Sequence, residues 1–137
     1  MLGVKPYITF NGNCEEAINF YAECLGGTIQ GFHRAGDSPM ASPDMDPNKI
    51  FHTSLLIGDT AIMASDSFGP ESPNTGNNIS LAIGTGDTAA AEEMFNKMAE
   101  GGTVIMPMAE TYWALRFGML TDKFGINWMF NCEKPRG

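Results

Sequence analysis

The chain repeats itself, and the repeat limits what it can fold into. Phe20-Tyr21-Ala22-Glu23-Cys24-Leu25-Gly26-Gly27-Thr28-Ile29 returns as Phe95-Asn96-Lys97-Met98-Ala99-Glu100-Gly101-Gly102-Thr103-Val104. Phe, Gly, Gly and Thr recur at one constant offset, with a β-branched residue after each Thr. Both copies sit between an apolar run on one side and a strand-like run on the other. Two related modules in 137 residues make one duplicated domain, because a chain of this length does not build two independent cores. The modules span about 1–66 and about 78–133, joined by a connector at about 67–77. A site placed between the halves is the expectation.

The repeat unit reads as βαβββ. Lys5 to Phe10 alternates as a strand, Asn11-Gly12 turns, and Asn13 with Glu16 forms a capping-box pattern. Ala17, Tyr21, Cys24 and Leu25 then share one helical stripe, which Gly26-Gly27 ends. Thr28 to His33, Ile50 to Ile57 and Thr60 to Ser65 complete the first module, with Gly58-Asp59 as a hairpin turn. The second follows suit: a strand at Asn78 to Ile83, a helix capped by Asp87, and strands at Thr103 to Met106, Trp113 to Leu120 and Ile126 to Asn131. Arg34 to Lys49, with three prolines and three aspartates, reads as a long loop suited to a lid or a partner contact.

This order of elements resembles the vicinal oxygen chelate superfamily of glyoxalase I, extradiol dioxygenases, fosfomycin-resistance enzymes and bleomycin-binding proteins, and within it the PhnB-like branch. The residues that carry the likeness are Pro6-Tyr7-Ile8-Thr9-Phe10-Asn11-Gly12 leading into Glu15-Glu16-Ala17-Ile18-Asn19-Phe20-Tyr21, then Gly58-Asp59-Thr60-Ala61-Ile62-Met63-Ala64-Ser65-Asp66. Trp113, Phe117-Gly118-Met119, Thr121-Asp122, Phe124-Gly125 and Trp128 extend it to the far end. The implied fold is α+β: duplicated βαβββ modules forming an eight-stranded curved sheet around a cleft. The branch has also carried the label 3-demethylubiquinone-9 3-methyltransferase. It further implies a homodimer, which would also cover sheet edges.

Metal-using members of that superfamily place His and Glu ligands on the first and last strands of each module. Transferred to this chain, those positions fall on Lys5, Met63, Asn78 and Met129. An ammonium, two thioethers and a carboxamide do not make a site for a hard or borderline divalent ion. No glyoxalase-type metal and no cofactor are therefore expected. Gly84-Thr85-Gly86-Asp87-Thr88-Ala89 matches a nucleotide-loop pattern, but Asp87 would face the phosphate and no acidic residue lies about twenty positions on, so it reads as a capped strand-to-helix turn. Asp44-Met45-Asp46-Pro47-Asn48 lacks the Gly and Glu of a calcium loop.

Composition narrows the partners. A net charge of −8 opposes nucleic acid and anionic membrane surfaces. No apolar run reaches the roughly 18 to 20 residues of a membrane span, and Lys5-Pro6 interrupts any signal-peptide core, so a cytoplasmic location is expected. Three cysteines without a CxxC spacing form no disulfide framework. The candidate catalytic groups are His52, with Asp66 as its carboxylate partner, and Lys5. The candidate ligand-binding residues are Tyr7, His52, Met63, Asn78, Trp113, Arg116 and Met129: aromatic contact area, an adaptable thioether floor and polar fixing points. They suit a metal-independent binder of an unidentified small organic molecule. The alternatives are a metal-independent lyase or isomerase acting on a small oxygenated substrate, and an oligomeric scaffold with a vestigial cleft.

Overall fold

Two βαβββ runs account for the regular structure of the computed structural model, which describes residues 2–39, 41–69 and 72–135. The first consists of β1 (Tyr7–Phe10), α1 (Cys14–Leu25), β2 (Thr28–Arg34), β3 (Ile50–Ile57) and β4 (Thr60–Asp66). The second consists of β5 (Leu81–Gly84), α2 (Thr88–Ala99), β6 (Thr103–Ala109), β7 (Ala114–Thr121) and β8 (Asn127–Glu133). The eight strands form two four-stranded sheets, ordered β1-β4-β3-β2 and β5-β8-β7-β6. One parallel pair closes each, β1 on β4 and β5 on β8; the remaining pairs are antiparallel. The chain divides into two compact units, Met1–Asn74 and Thr75–Gly137. Pro70, expected in the connector, lies outside the described residues.

In the first unit α1 lies on one face of its sheet and buries Ala17, Ile18, Tyr21, Cys24 and Leu25. Phe10, Leu55, Ile62 and Ala64 are buried with them, and the Phe10 and Tyr21 rings lie 6.4 Å apart. In the second unit α2 buries Ala91, Phe95 and Met98, and Phe95 meets Phe130 edge-on at 5.6 Å. Side chains alternate across a strand, so Trp128, Phe130 and Cys132 point to the helix while Met129 and Asn131 point away.

The Gly-Gly repeat has one physical cause in each unit. Its first glycine is left-handed: Gly26, at φ 72°, is the C-cap of α1, and Gly101, at φ 76°, turns the chain one residue past the C-cap of α2, Glu100. Its second permits close approach to the sheet. A Cβ on Gly27 would stand 2.9 Å from the Leu56 carbonyl oxygen, and one on Gly102 would run into that of Thr121. Leu56 and Thr121 are the register partners of Thr28 and Thr103, the residues that follow each pair. The recurring sequence therefore marks the recurring point where a helix returns onto its own sheet.

The two helices start differently. Asp87 caps α2 as expected, accepting the Ala90 N–H at 3.1 Å. Asn13 makes no side-chain cap on α1. The Cys14 N–H instead donates to Asp66 Oδ1 at 2.9 Å, and Ile50 N–H donates to Oδ2 at 2.9 Å. Asp66 is 3% exposed, so a carboxylate distant in sequence ties the start of α1 to β3 and β4. Strand limits shift as well. β1 begins at Tyr7, leaving Lys5 outside, and β5 begins at Leu81, leaving Asn78 outside. The 34–49 stretch is held at its base, with a short 3-10 turn at Ala35–Asp37. Ala35 N–H reaches the Lys49 carbonyl at 2.7 Å, and Arg34 forks onto both Glu15 carboxylate oxygens at 2.8 Å.

Burial, with the nearby Asp66 and Glu15 charges adding to it, pushes the pKa of the Cys14 thiol up to about 12, well above the ordinary thiol range. A thiol whose folded pKa is raised contributes its full stability below the unfolded value, and loses it as pH rises toward the folded one. Stability should therefore fall between the ordinary thiol range and about pH 12, by about 1.4 kcal/mol per pH unit from this group. Denaturant midpoints measured across that window should show the slope in the native chain and a shallower one in Cys14→Ala. Equal slopes would assign the alkaline loss to other groups.

Candidate functional site

The sheet face turned away from the helix is the open one in both units, since the opposite face is filled by core. In the first unit this face is set by the Tyr7↔Met63, Ser54↔Met63 and His33↔His52 register pairs. Tyr7 is half exposed, and its phenol oxygen lies 3.5 Å from Nδ1 of His52. The rings of Tyr7 and His52 are 5.9 Å apart, and those of His52 and His33 are 6.2 Å apart. Tyr7, His52 and Met63, all expected at the site, thus share a face. Lys5 precedes the strand and is exposed.

Asp66 does not partner His52. Both of its carboxylate oxygens are taken by the backbone donors of Cys14 and Ile50 on the core side of the sheet. The expectation of an Asp66–His52 acid–base pair is corrected accordingly, and the group facing His52 is the Tyr7 phenol. Position in the sequence, just past Met63, suggested proximity to the open face; alternation and burial put this carboxylate on the other one.

In the second unit the helix-free face is aromatic and thioether-rich. Trp113 packs edge-on to Phe117 at 5.2 Å and is itself met by Tyr112 at 4.8 Å. Met119 pairs with both Met106 and Met129, and Phe117 pairs with Asn131. Trp113 is 42% exposed, which leaves ring surface available. One polar atom here is unusual: Asn131 Oδ1 is buried and has no hydrogen-bond partner among the described residues, while its Nδ2 lies 3.4 Å from Glu133 Oε1. A buried acceptor without a donor costs about 1–3 kcal/mol. Phe117 and Asn131 were not among the site candidates read from sequence, yet both follow from stepping two residues along the strands from Met119 and Met129.

Arg116 is absent from that face. A register irregularity lies between Ala114 and Arg116, and the guanidinium turns to the helix side, where Nε donates to Glu92 of α2 at 2.8 Å. Its expected role as a fixed cation beside Trp113 is corrected for that reason. Asn78 lies before β5 and is exposed. Of the four positions transferred from metal-using proteins, Met63 and Met129 sit on β4 and β8 on helix-free faces, while Lys5 and Asn78 lie outside any strand. This donor set does not fit a glyoxalase-type ion. The Gly84–Asp87 turn likewise serves the helix, with the Asp87 carboxylate engaged by Ala90 N–H and its own N–H by Thr85 Oγ1 at 3.2 Å.

Comparison with known proteins places this architecture. A family model described as 3-demethylubiquinone-9 3-methyltransferase matches residues 3–130. Protein YjdN of Escherichia coli (strain K12) is 30% identical over 143 residues, covering 97% of each chain. The crystal structure of PA1353 from Pseudomonas aeruginosa is 43% identical with a TM-score of 0.89, covering 98% of this chain and 100% of that one. A PhnB protein from Bacillus cereus, 23% identical, superposes with a TM-score of 0.80 over 95% of this chain and 98% of that one. The fold extends to FosX, a fosfomycin resistance protein from Listeria monocytogenes, at 10% identity and a TM-score of 0.69 over 98% of this chain and 94% of that one.

Proposed function

The chain belongs to the 3-demethylubiquinone-9 3-methyltransferase, or PhnB-like, family of glyoxalase-fold proteins, and from that premise we propose that it binds a small, partly apolar organic molecule without a glyoxalase-type metal ion. The observation that carries this reading is the helix-free face of the second unit. Trp113 and Phe117 offer flat contact area, and Met119 and Met129 an adaptable floor. Asn131 Oδ1 has no donor among the described residues, and a ligand hydroxyl or ammonium would supply one. Apolar walls with a few converging polar groups are the usual composition of a ligand site.

The charges define the ligand class further. FosX is described in complex with Mn(II) and a dihydroxypropylphosphonic acid, but in this chain Arg116 is engaged by Glu92 on the opposite face. Among the described residues no arginine shares the helix-free face with Trp113, whereas a neutral or cationic aromatic compound suits both the ring and the acceptor of Asn131. Methyl transfer draws no support from the Gly84–Asp87 turn, where the Asp87 N–H and carboxylate are already engaged.

A thermal-shift panel of aromatic, cationic and phosphonate metabolites tests the reading. Aromatic amines or alcohols should raise the melting temperature and phosphonates should not. Trp113→Ala should then weaken the best hit by about 1 to 3 kcal/mol, typical of a well-buried aromatic anchor. An affinity indifferent to both Trp113→Ala and Met129→Ala would move the site elsewhere.

A further inference from the structure

The first unit holds a feature that organic-ligand binding does not need: the chain's two histidines stand directly opposite each other. His33 on β2 and His52 on β3 are register partners, and their rings are 6.2 Å apart at an interplanar angle of 35°. We infer that this cross-strand pair is a labile, two-imidazole site for a late first-row divalent cation such as Cu(II) or Ni(II).

Geometry supports it first. With metal–nitrogen bonds of about 2.0–2.1 Å, two imidazoles sharing an ion have ring centroids roughly 4.5 Å apart at a right angle and about 6.4 Å apart in line. The separation of 6.2 Å falls within that span before any side-chain adjustment, and exposed His33 has room to turn. The Tyr7 phenol lies against Nδ1 of His52, leaving Nε2 as the nitrogen available to an ion. A hydrogen bond to the other ring nitrogen is the usual support of a metal-binding histidine. Two imidazoles with the remaining positions open to water favour copper and nickel over earlier divalent ions, and the net charge of −8 favours a cation generally.

The repeat supplies an internal control. Aligning the Thr28↔Leu56 pair with Thr103↔Thr121 puts Phe117 where His52 stands, and the register partner of Phe117 is Ala109. The second unit therefore has no donors at the equivalent place, and one ion per chain is expected. This site is distinct from the positions of Lys5, Met63, Asn78 and Met129. Among the described residues no group of three or more His, Cys, Asp and Glu gathers anywhere, so the pair has no competing cluster.

The experiment is a titration of chelator-stripped full-length protein with Cu(II) and, separately, Ni(II), followed by calorimetry and, for copper, electron paramagnetic resonance. One equivalent per chain with two coordinated imidazole nitrogens is the expected result. His33→Gln and His52→Gln should each weaken binding about tenfold or more, because a single imidazole remains. Tyr7→Phe should keep the stoichiometry and lose about tenfold in affinity. A titration unchanged in His33→Gln, or a copper spectrum with fewer than two imidazole nitrogens, would overturn the proposal. None of these readouts involves Trp113 or an organic ligand, so this site and the aromatic one succeed or fail separately.

Discussion

Asp122→Ala is expected to destabilise the second unit by about 3 to 5 kcal/mol, since removing a buried acceptor leaves its donors unpaired. Asp122 is 3% exposed and sits in the turn between β7 and β8. Its Oδ1 accepts Phe124 N–H at 2.8 Å and Ile126 N–H at 3.1 Å, and its Oδ2 accepts the indole N–H of fully buried Trp128 at 2.8 Å. One carboxylate thus shapes the hairpin and fixes the largest core side chain. Asp122→Asn keeps an acceptor for one set of donors but presents an amide to the other, so an intermediate loss is expected. Guanidinium unfolding followed by tryptophan fluorescence checks the order native, Asn, Ala. A change below about 1 kcal/mol for Ala would show that water or rearrangement satisfies these donors.

Gly102→Ala should be the most damaging one-carbon addition in the chain. The added Cβ would meet the Thr121 carbonyl oxygen and the Asp122 backbone, neither of which can rotate away. Overpacking of this kind costs about 1–3 kcal/mol and more where backbone must move, so a loss of about 3 kcal/mol or more is expected. Gly27→Ala meets the flexible tip of Leu55 at 2.8 Å as well as the Leu56 carbonyl, and should cost less. Gly101→Ala, strained by its φ of 76° and brought within 3.3 Å of the flexible Lys123 side chain, should lose about 1–2 kcal/mol. Denaturant midpoints of the three variants give the ranking. Equal effects at Gly101 and Gly102 would refute the close-approach explanation.

Much of this architecture was legible because it is local. The Gly-Gly repeat, the cap at Asp87 and the two-residue alternation of β3 each depend on neighbours in sequence, and each reads correctly without coordinates. What escaped depends on distant pairs. Asn13 has the residue type of a cap, but the start of α1 is tied by Asp66, 52 positions away, which no local pattern announces. The same fact removed Asp66 from the chemistry of His52. Arg116 was misplaced although alternation locates it: it pairs with Cys132 in phase with Gly118 and Leu120, on the helix side, where the Glu92 carboxylate of α2 holds it. The candidate face was half visible: Tyr7, His52, Met63, Trp113 and Met129 point as alternation dictates. The pairing of His33 with His52 needed the register of β2, which the shift between Ile29 and Phe32 hides from counting.

The strand order also bears on how the protein is made. β8 is the last of these eight strands to be synthesised, yet it lies inside its sheet, between β5 and β7. β4 holds the same interior place in the first sheet and is complete at Asp66. On the ribosome, the first unit can close its sheet while the second is still being translated, consistent with domains folding in order of their emergence. The second cannot: until β8 emerges, β5 has no partner and β7 lacks one of its two. A nascent chain stalled before Asn127 would therefore present an open, methionine-rich half-sheet to whatever chaperone waits at the exit.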